Sequence, residues 1–204
     1  ITPIASLSAD LLKHLDPVPI SRQREGLEVI NSQAKNLTAF LDSYHRLTHL
    51  PEPEYKMVTI QALFTKLERL LQAEPGSERI VYSGGKAGKS TDKELQIYGD
   101  VNLVTLALIN LIRNALQAVE GQRDGIVRVD AYAGATGRLF ITITDNGPGI
   151  PPERLSAVFT PFYSTKSGGS GIGLPISQRI MQLHGGQLSV LSIQNVRTTF
   201  KMEF

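Results

Sequence analysis

Residues 139–150 read LFITITDNGPGI, an apolar stretch, Leu139–Thr144, followed without a break by Asp145-Asn146-Gly147-Pro148-Gly149-Ile150. The period-two alternation of Leu139–Thr144 predicts a β-strand. Ile126–Tyr132 alternates in the same way, and Gly134-Ala135-Thr136-Gly137 between the two predicts a hairpin turn. A carboxylate at the end of such a strand can accept a hydrogen bond from the amino group of a purine. The two glycines behind Asp145 permit turns and a close backbone approach to a ligand. The same D-N-G-x-G order would also suit a turn that binds nothing.

Working outward, the segment before the hairpin, Val101–Val119, predicts a long, strongly apolar helix carrying Asn110-Leu111-Ile112-Arg113-Asn114-Ala115. Asn110 and Asn114 share one helix face, while Leu106, Leu111, Ile112 and Leu116 point largely elsewhere. An amide oxygen is a neutral, hard ligand suited to Mg²⁺, which takes few protein groups and completes its octahedron with water and phosphate. Taken alone, two asparagines on a helix are more often solvent-facing or structural. After the hairpin come a short helix, Pro152–Val158, the aromatic cluster Phe159-Thr160-Pro161-Phe162-Tyr163, and Ser164-Thr165-Lys166. Gly168-Gly169-Ser170-Gly171-Ile172-Gly173-Leu174 then runs into a helix, Leu174–Leu183. Glycine-rich backbone at a helix start exposes amides and the positive end of the dipole, a ready place for phosphate. Each element is weak evidence by itself; the four stand together in one order.

The remaining elements complete a mixed α and β pattern: helix Gln61–Leu71, short strands Arg79–Tyr82 and Leu95–Tyr98, and closing strands Gln187–Ser192 and Thr198–Phe204 after a stop at Gly185-Gly186. Gly84-Gly85-Lys86-Ala87-Gly88-Lys89-Ser90 approaches a P-loop but fails it. The required first glycine is Ser83, and Thr91–Tyr98 leads into a strand rather than a helix. His45 and His49, four apart, lack a third metal ligand and read as solvated or capping groups.

The 204-residue composition is that of a globular protein with enough apolar material for a core. Lys+Arg 21 against Asp+Glu 19 leaves a net charge of +2, which makes no case for nucleic-acid binding. The absence of cysteine removes disulfides, thiol catalysis and Cys-ligated zinc. By this reading no apolar run approaches the ~18–20 residues of a membrane span, so the polypeptide is expected to be soluble, any membrane anchor lying in parts outside it.

The first fifty residues follow another pattern. Leu27, Ile30, Ala34, Leu37, Leu41 and Tyr44 recur at steps of three and four, a narrow apolar seam on one helix. Ile4, Leu7, Leu11 and Leu15 repeat that spacing, and Asp16-Pro17-Val18-Pro19 interrupts between them. The two predict a hairpin that completes a four-helix bundle with a second copy, or else packs on the rest of the chain. Leu50-Pro51-Glu52-Pro53-Glu54 reads as a linker. The expected domains are a helical hairpin, 1–54, and a mixed domain, 55–204.

With these motifs quoted, the chain resembles the catalytic core of a bacterial two-component sensor histidine kinase of the nitrogen-regulation type. That group lies within the GHKL superfamily shared with DNA gyrase, mismatch-repair ATPases and heat-shock chaperones. Asn110–Ala115 matches its N box, Asp145–Ile150 and Gly169–Leu174 its glycine boxes, and Phe159–Lys166 its F box. The resemblance implies an α+β fold, a two-layer α/β sandwich binding ATP (the Bergerat fold), after a helical dimerisation segment. It implies Asn114 as the Mg²⁺ ligand, with Asn110 beside the triphosphate, and Asp145 on the adenine amino group with Gly147, Gly149 and Ile150 around the base. Phe159 and Thr165 would also contact the nucleotide, and Lys166, in the lid, would neutralise phosphate. Gly169, Ser170, Gly171, Ile172, Gly173 and Leu174 would wrap the phosphates, and Thr198 would support Asp145. Gln117 stands where lysine is frequent, Thr160 where an acid is common, and Arg197 where glycine is usual.

Ile1-Thr2-Pro3-Ile4 resembles the end of the family's H box, which would place the phosphoacceptor histidine upstream of this chain. His14 follows the wrong motif, and His184 matches a helix end near the sheet. The resemblance thus implies a kinase core that takes the γ-phosphoryl group of Mg·ATP to a bundle histidine, for relay to an aspartate of a response-regulator receiver domain. It implies a homodimer through residues 1–50 and a cytoplasmic location, and this chain by itself is expected to bind ATP without phosphorylating itself. Two other readings stand beside it. One is an ATP hydrolase of the same superfamily, although those relatives generally have glutamate at the position of Asn110; the other is a nucleotide-gated regulator or phosphatase module.

Overall fold

The structure, a computed structural model, describes residues 20–48, 50–84, 94–135, 137–165 and 170–204. The chain divides into two compact units, Ile1–Leu50 and Pro51–Phe204. Within the first, α1 (Ile20–Thr48) is one continuous helix. Of the predicted seam, Leu27, Leu37, Leu41 and Tyr44 are exposed on α1 and Ile30 is half-buried. The predicted helix around Ile4–Leu15 and the Asp16–Pro19 interruption lie outside the described residues, as does His49.

The second unit runs β1 (Lys56–Thr59), α2 (Ile60–Leu71), β2 (Ile80–Gly84), β3 (Gln96–Gly99), α3 (Val101–Ala118), β4 (Val127–Ala133), β5 (Leu139–Asp145), α4 (Pro152–Leu155), α5 (Gly173–Leu183), β6 (Gln187–Ile193) and β7 (Arg197–Glu203). A five-stranded sheet has the order β2-β4-β5-β7-β6. Its β2–β4 pair is parallel and the rest are antiparallel. Val127, Val129, Ile141, Ile143, Phe200 and Met202 are buried on one face, while Arg128 and Tyr132, on the other, are exposed. Helices α3 and α5 pack together and onto this sheet, and α2 packs on α3. The result is the two-layer sandwich expected from the sequence.

Local chemistry sets the helix starts. Asp100 caps α3, its Oδ1 accepting from the N–H groups of Asn102 (2.7 Å) and Leu103 (3.0 Å). Thr59 caps α2 through the Ala62 N–H at 3.2 Å, and α2 buries Ile60, Leu63, Phe64, Leu67 and Leu71 at helical spacing.

Three expectations are revised. Strand β1 was not foreseen: four half-exposed residues after a proline-rich stretch become a strand only by pairing antiparallel with β3. The helix predicted over Pro152–Val158 ends at Leu155 and continues as turns, with Ala157 N–H bonded to Arg154 O and Thr160 N–H to Ala157 O. Val101–Ala118 does have the length and mean hydropathy (1.3) of a membrane span, contrary to the reading that no stretch approaches one. It is a core helix here, with Leu108, Leu111 and Ile112 fully buried among α2, α5 and the sheet.

Candidate functional site

Antiparallel register places Val127, Asp145, Thr198 and Ser192 in one row across β4, β5, β7 and β6. Asp145 (2% exposed) and Thr198 (4%) are thereby buried polar groups at the end of an otherwise apolar face. Buried polar atoms keep to places where they are hydrogen-bonded. Asp145 Oδ1 accepts from the Gly147 N–H at 2.9 Å. Ser192 Oγ accepts from the Ile150 N–H at 2.8 Å, donates to Arg197 O at 3.1 Å, and lies 3.1 Å from Thr198 Oγ1. The Asn195 N–H donates to Pro148 O at 2.7 Å. The 147–150 loop is thus pinned to the β6–β7 turn.

Glycine is required at this loop for a spatial reason. Gly149 has φ +72°, and a Cβ there would stand 2.6 Å from Ile193 O. A Cβ on Gly147 would stand 2.8 Å from Asp145 Oδ1 and 2.9 Å from Ala118 O. No side chain fits between the carboxylate and α3.

Helix α3 forms the facing wall with Asn110, Arg113, Asn114 and Gln117. Asn110 Nδ2 lies 3.4 Å from Gly173 O, and Ser177 Oγ donates to the same carbonyl at 2.9 Å. This places the start of α5 beside the two asparagines. The α5 N-cap, Ile172, offers no side-chain hydrogen bond to the first turn, and an anion suits a helix end without a side-chain cap. Phe162, itself at φ +66°, donates its N–H to Gly171 O at 2.9 Å and ties the aromatic segment to the glycine segment.

These elements enclose a cavity of about 560 Å³, within the ~300–1,000 Å³ of small-molecule sites. Of the residues singled out from the sequence, Asn110, Asn114, Asp145, Gly149, Ile150, Thr165, Ser170, Gly171, Gly173, Leu174 and Thr198 line it. Gly147 sits behind Asp145. Phe159 is half-buried and Ile172 buried, and neither lines the cavity. Lys166 and Gly169 lie outside the described residues. Arg113, Arg154, Tyr163 and Phe200 line it without having been assigned a part. Helical period from Asn110 points to Arg113, and strand period from Thr198 points to Phe200; Arg154 and Tyr163 carry no comparable signal. Among the described residues no group of three or more His, Cys, Asp or Glu could hold a metal. The donor chemistry at the cavity is that of amide oxygens, which suits a hard cation that draws its other ligands from phosphate and water.

A family model described as histidine kinase-, DNA gyrase B-, and HSP90-like ATPase matches residues 99–204. The chain belongs to this ATPase family. Among its family relatives, the sensor histidine kinase ZraS of Salmonella typhimurium is 41% identical over 105 residues, covering 52% of this chain and 22% of that kinase. The signal transduction histidine-protein kinase AtoS of Escherichia coli K12 is 27% identical over 188 residues, 92% of this chain and 29% of AtoS. The matched region is therefore under a third of either relative's length. The histidine kinase ThkA, solved in complex with response regulator protein TrrA, has the same fold, with TM-score 0.61 for a catalytic-domain structure at 24% identity over 74% of this chain and 95% of that one, and 0.65 for the complex at 20% identity, over 100% of this chain and 56% of that one. The two curated relatives are histidine kinases by name, and the chain resembles them over the regions given.

Proposed function

We propose that this chain is the catalytic core of a histidine kinase that binds Mg·ATP and passes its γ-phosphoryl group to a histidine of a dimerisation bundle, for relay to an aspartate of a response-regulator receiver domain. The observation that carries the reading is the meeting, around one cavity, of a buried carboxylate at a strand end, two amides on one helix face and an uncapped helix start. Phosphoryl transfer depends on positioning and charge neutralisation more than on covalent help from the protein. In this reading Asp145 accepts from the adenine amino group, with Thr198 beside it. Gly149 keeps the backbone clear for the base, while Gly171, Gly173 and the first amides of α5 receive the phosphates. Lys166 adds positive charge there.

Asn114 would hold Mg²⁺, with Asn110 next to it; the ion, when bound, offsets phosphate charge. Asn110 has no carboxylate to activate water, which supports transfer over hydrolysis. The exposed seam of α1 supports a homodimer, and the ThkA–TrrA complex supports a receiver domain as partner. A cytoplasmic location follows from the same reading.

The test uses a longer chain extending upstream through the expected acceptor histidine, incubated with γ-labelled ATP and Mg²⁺. Acid-labile, base-stable label that disappears in Asn114→Ala and Asp145→Asn is the expected result. Tight ATP binding with no label would overturn it in favour of a nucleotide-gated regulator.

A further inference from the structure

Among the described residues that line the cavity, positive charge comes from Arg113 and Arg154. Their places differ. Arg154 belongs to α4, just after Ile150 and Pro151, on the side of the Asp145 loop. Arg113 is one turn along α3 from Asn110, whose amide lies against Gly173 at the start of α5, and it directly precedes Asn114. Arg113 is also held. Glu74 Oε1 accepts from its Nε at 3.0 Å and from Nη2. Glu74 itself sits in a hydrogen-bonded turn after α2, its N–H on Leu71 O and its carbonyl accepting from Ser77 N–H. The guanidinium is planar, so fixing Nε and Nη2 fixes the direction of Nη1, which remains for another acceptor.

We propose that Arg113, aimed by Glu74, contacts the terminal phosphates of the bound nucleotide and sets the preference for triphosphate over diphosphate and nucleoside. The inference rests on the nucleotide-binding reading above. Gln117, one turn further along the same face, lines the cavity without charge, so Arg113 is the cation that α3 contributes. Its exposure (side chain 54%) makes the pairing with Glu74 worth little for stability, whereas a charged hydrogen bond to phosphate is among the stronger ones.

The experiment measures binding of ATP, ADP and adenosine to the 204-residue chain by calorimetry in the presence of Mg²⁺. The variants are Arg113→Gln, Arg113→Lys and Glu74→Gln, and each variant's melting temperature is recorded. Expected for Arg113→Gln is a loss of about tenfold in ATP affinity, a smaller loss for ADP and none for adenosine. Arg113→Lys restores part of the preference, and Glu74→Gln reduces it by less than Arg113→Gln does. Equal weakening of all three ligands, or unchanged ATP affinity, would reduce the pair to a tether between α2 and α3 and overturn the proposal. An unchanged preference in Glu74→Gln overturns the orienting part. Failure of the unmodified chain to bind ATP would instead overturn the nucleotide-binding reading, and the inference with it.

Discussion

The backbone N–H of Asp100 donates to His184 Nε2 at 2.9 Å, joining residues 84 positions apart in sequence. His184 Nδ1 stands 2.8 Å from Ile180 O. An acceptor at Nε2 and a carbonyl facing Nδ1 fix the Nδ1–H tautomer, so the ring is both oriented and protonated in one way. Around it, Tyr55 presents an edge at 5.4 Å and donates its hydroxyl to Leu183 O at 2.6 Å. One imidazole therefore couples the start of α3, the end of α5 and the strand-side aromatic residues.

Replacing His184 with alanine leaves the Asp100 N–H without its acceptor, and a loss of about 1–3 kcal/mol in urea unfolding is expected. Gly99 supplies a sharper control. A Cβ there would stand 2.8 Å from His184 Cδ2. Gly99→Ala should cost clearly more in the unmodified chain than in the His184→Ala background, a coupling read from the double-mutant cycle. Additive losses would show that the ring does not set the limit at Gly99.

Asp100 makes an acid-side prediction. Burial works to raise its pKa, but the N–H groups of Glu54, Leu103 and Asn102 outweigh it and hold the carboxyl below the usual carboxylate value. A group lowered in the folded state stabilises fully above its unfolded pKa, and that contribution is lost as pH falls through the folded value. Asp100→Asn should therefore be less stable than the unmodified chain at neutral pH. The gap should close on acidification below the ordinary aspartate range. Parallel acid-unfolding curves would contradict this.

Tyr82 bears on the opposite limb. Its hydroxyl is buried without a hydrogen-bond partner among the described residues, and its ring meets Phe64 at 5.5 Å. Burial first, and the Glu68 carboxylate second, push its pKa up to about 12. A raised group supports the fold below its unfolded pKa and loses that support as pH rises towards the folded value. Tyr82→Phe removes an unpaired buried hydroxyl and is expected to be neutral or up to about 1 kcal/mol stabilising at pH 7. Its advantage should widen above about pH 10, where an unfolded tyrosine ionises. Thermal melts at both pH values test it.

Ser192 separates scaffold from ligand contact. Its Oγ serves Ile150 N–H, Arg197 O and Thr198 Oγ1 together. Ser192→Ala should cost about 1 kcal/mol of stability and, on the proposed reading, weaken ATP, ADP and adenosine by one common factor, because it loosens the Asp145 end of the cavity. A loss graded by phosphate number would point to a different role for Ser192.

Much of this architecture is local and was therefore legible. The α3 helix announces itself by eighteen residues without a breaker behind the Asp100 cap, and the β4–β5 hairpin by alternation around Gly134 and Gly137. The cavity residues on α3, at Asp145 and at the α5 start lie within short motifs. What the sequence concealed depends on partners distant along the chain. Lys56–Thr59 becomes a strand because Gln96–Gly99 lies beside it. Arg113 gains a fixed direction from Glu74, 39 positions away, and Ser192 meets Ile150 across 42. No periodicity within either segment encodes such pairings.

The register of β5 on β7 carries a kinetic consequence. β4–β5 and β6–β7 are hairpins closed by short turns, whereas Asp145 meets Thr198 only when the two hairpins zip together. That zipping is the long-range, slower kind of step in folding. A ligand that needed Asp145 and Thr198 together would recognise only the zipped arrangement and would raise the free energy of unfolding by RT ln(1 + L/Kd), L being the free ligand concentration. It would also have to depart before the hairpins could part, which would make this end of the cavity a brake on the chain's own unravelling.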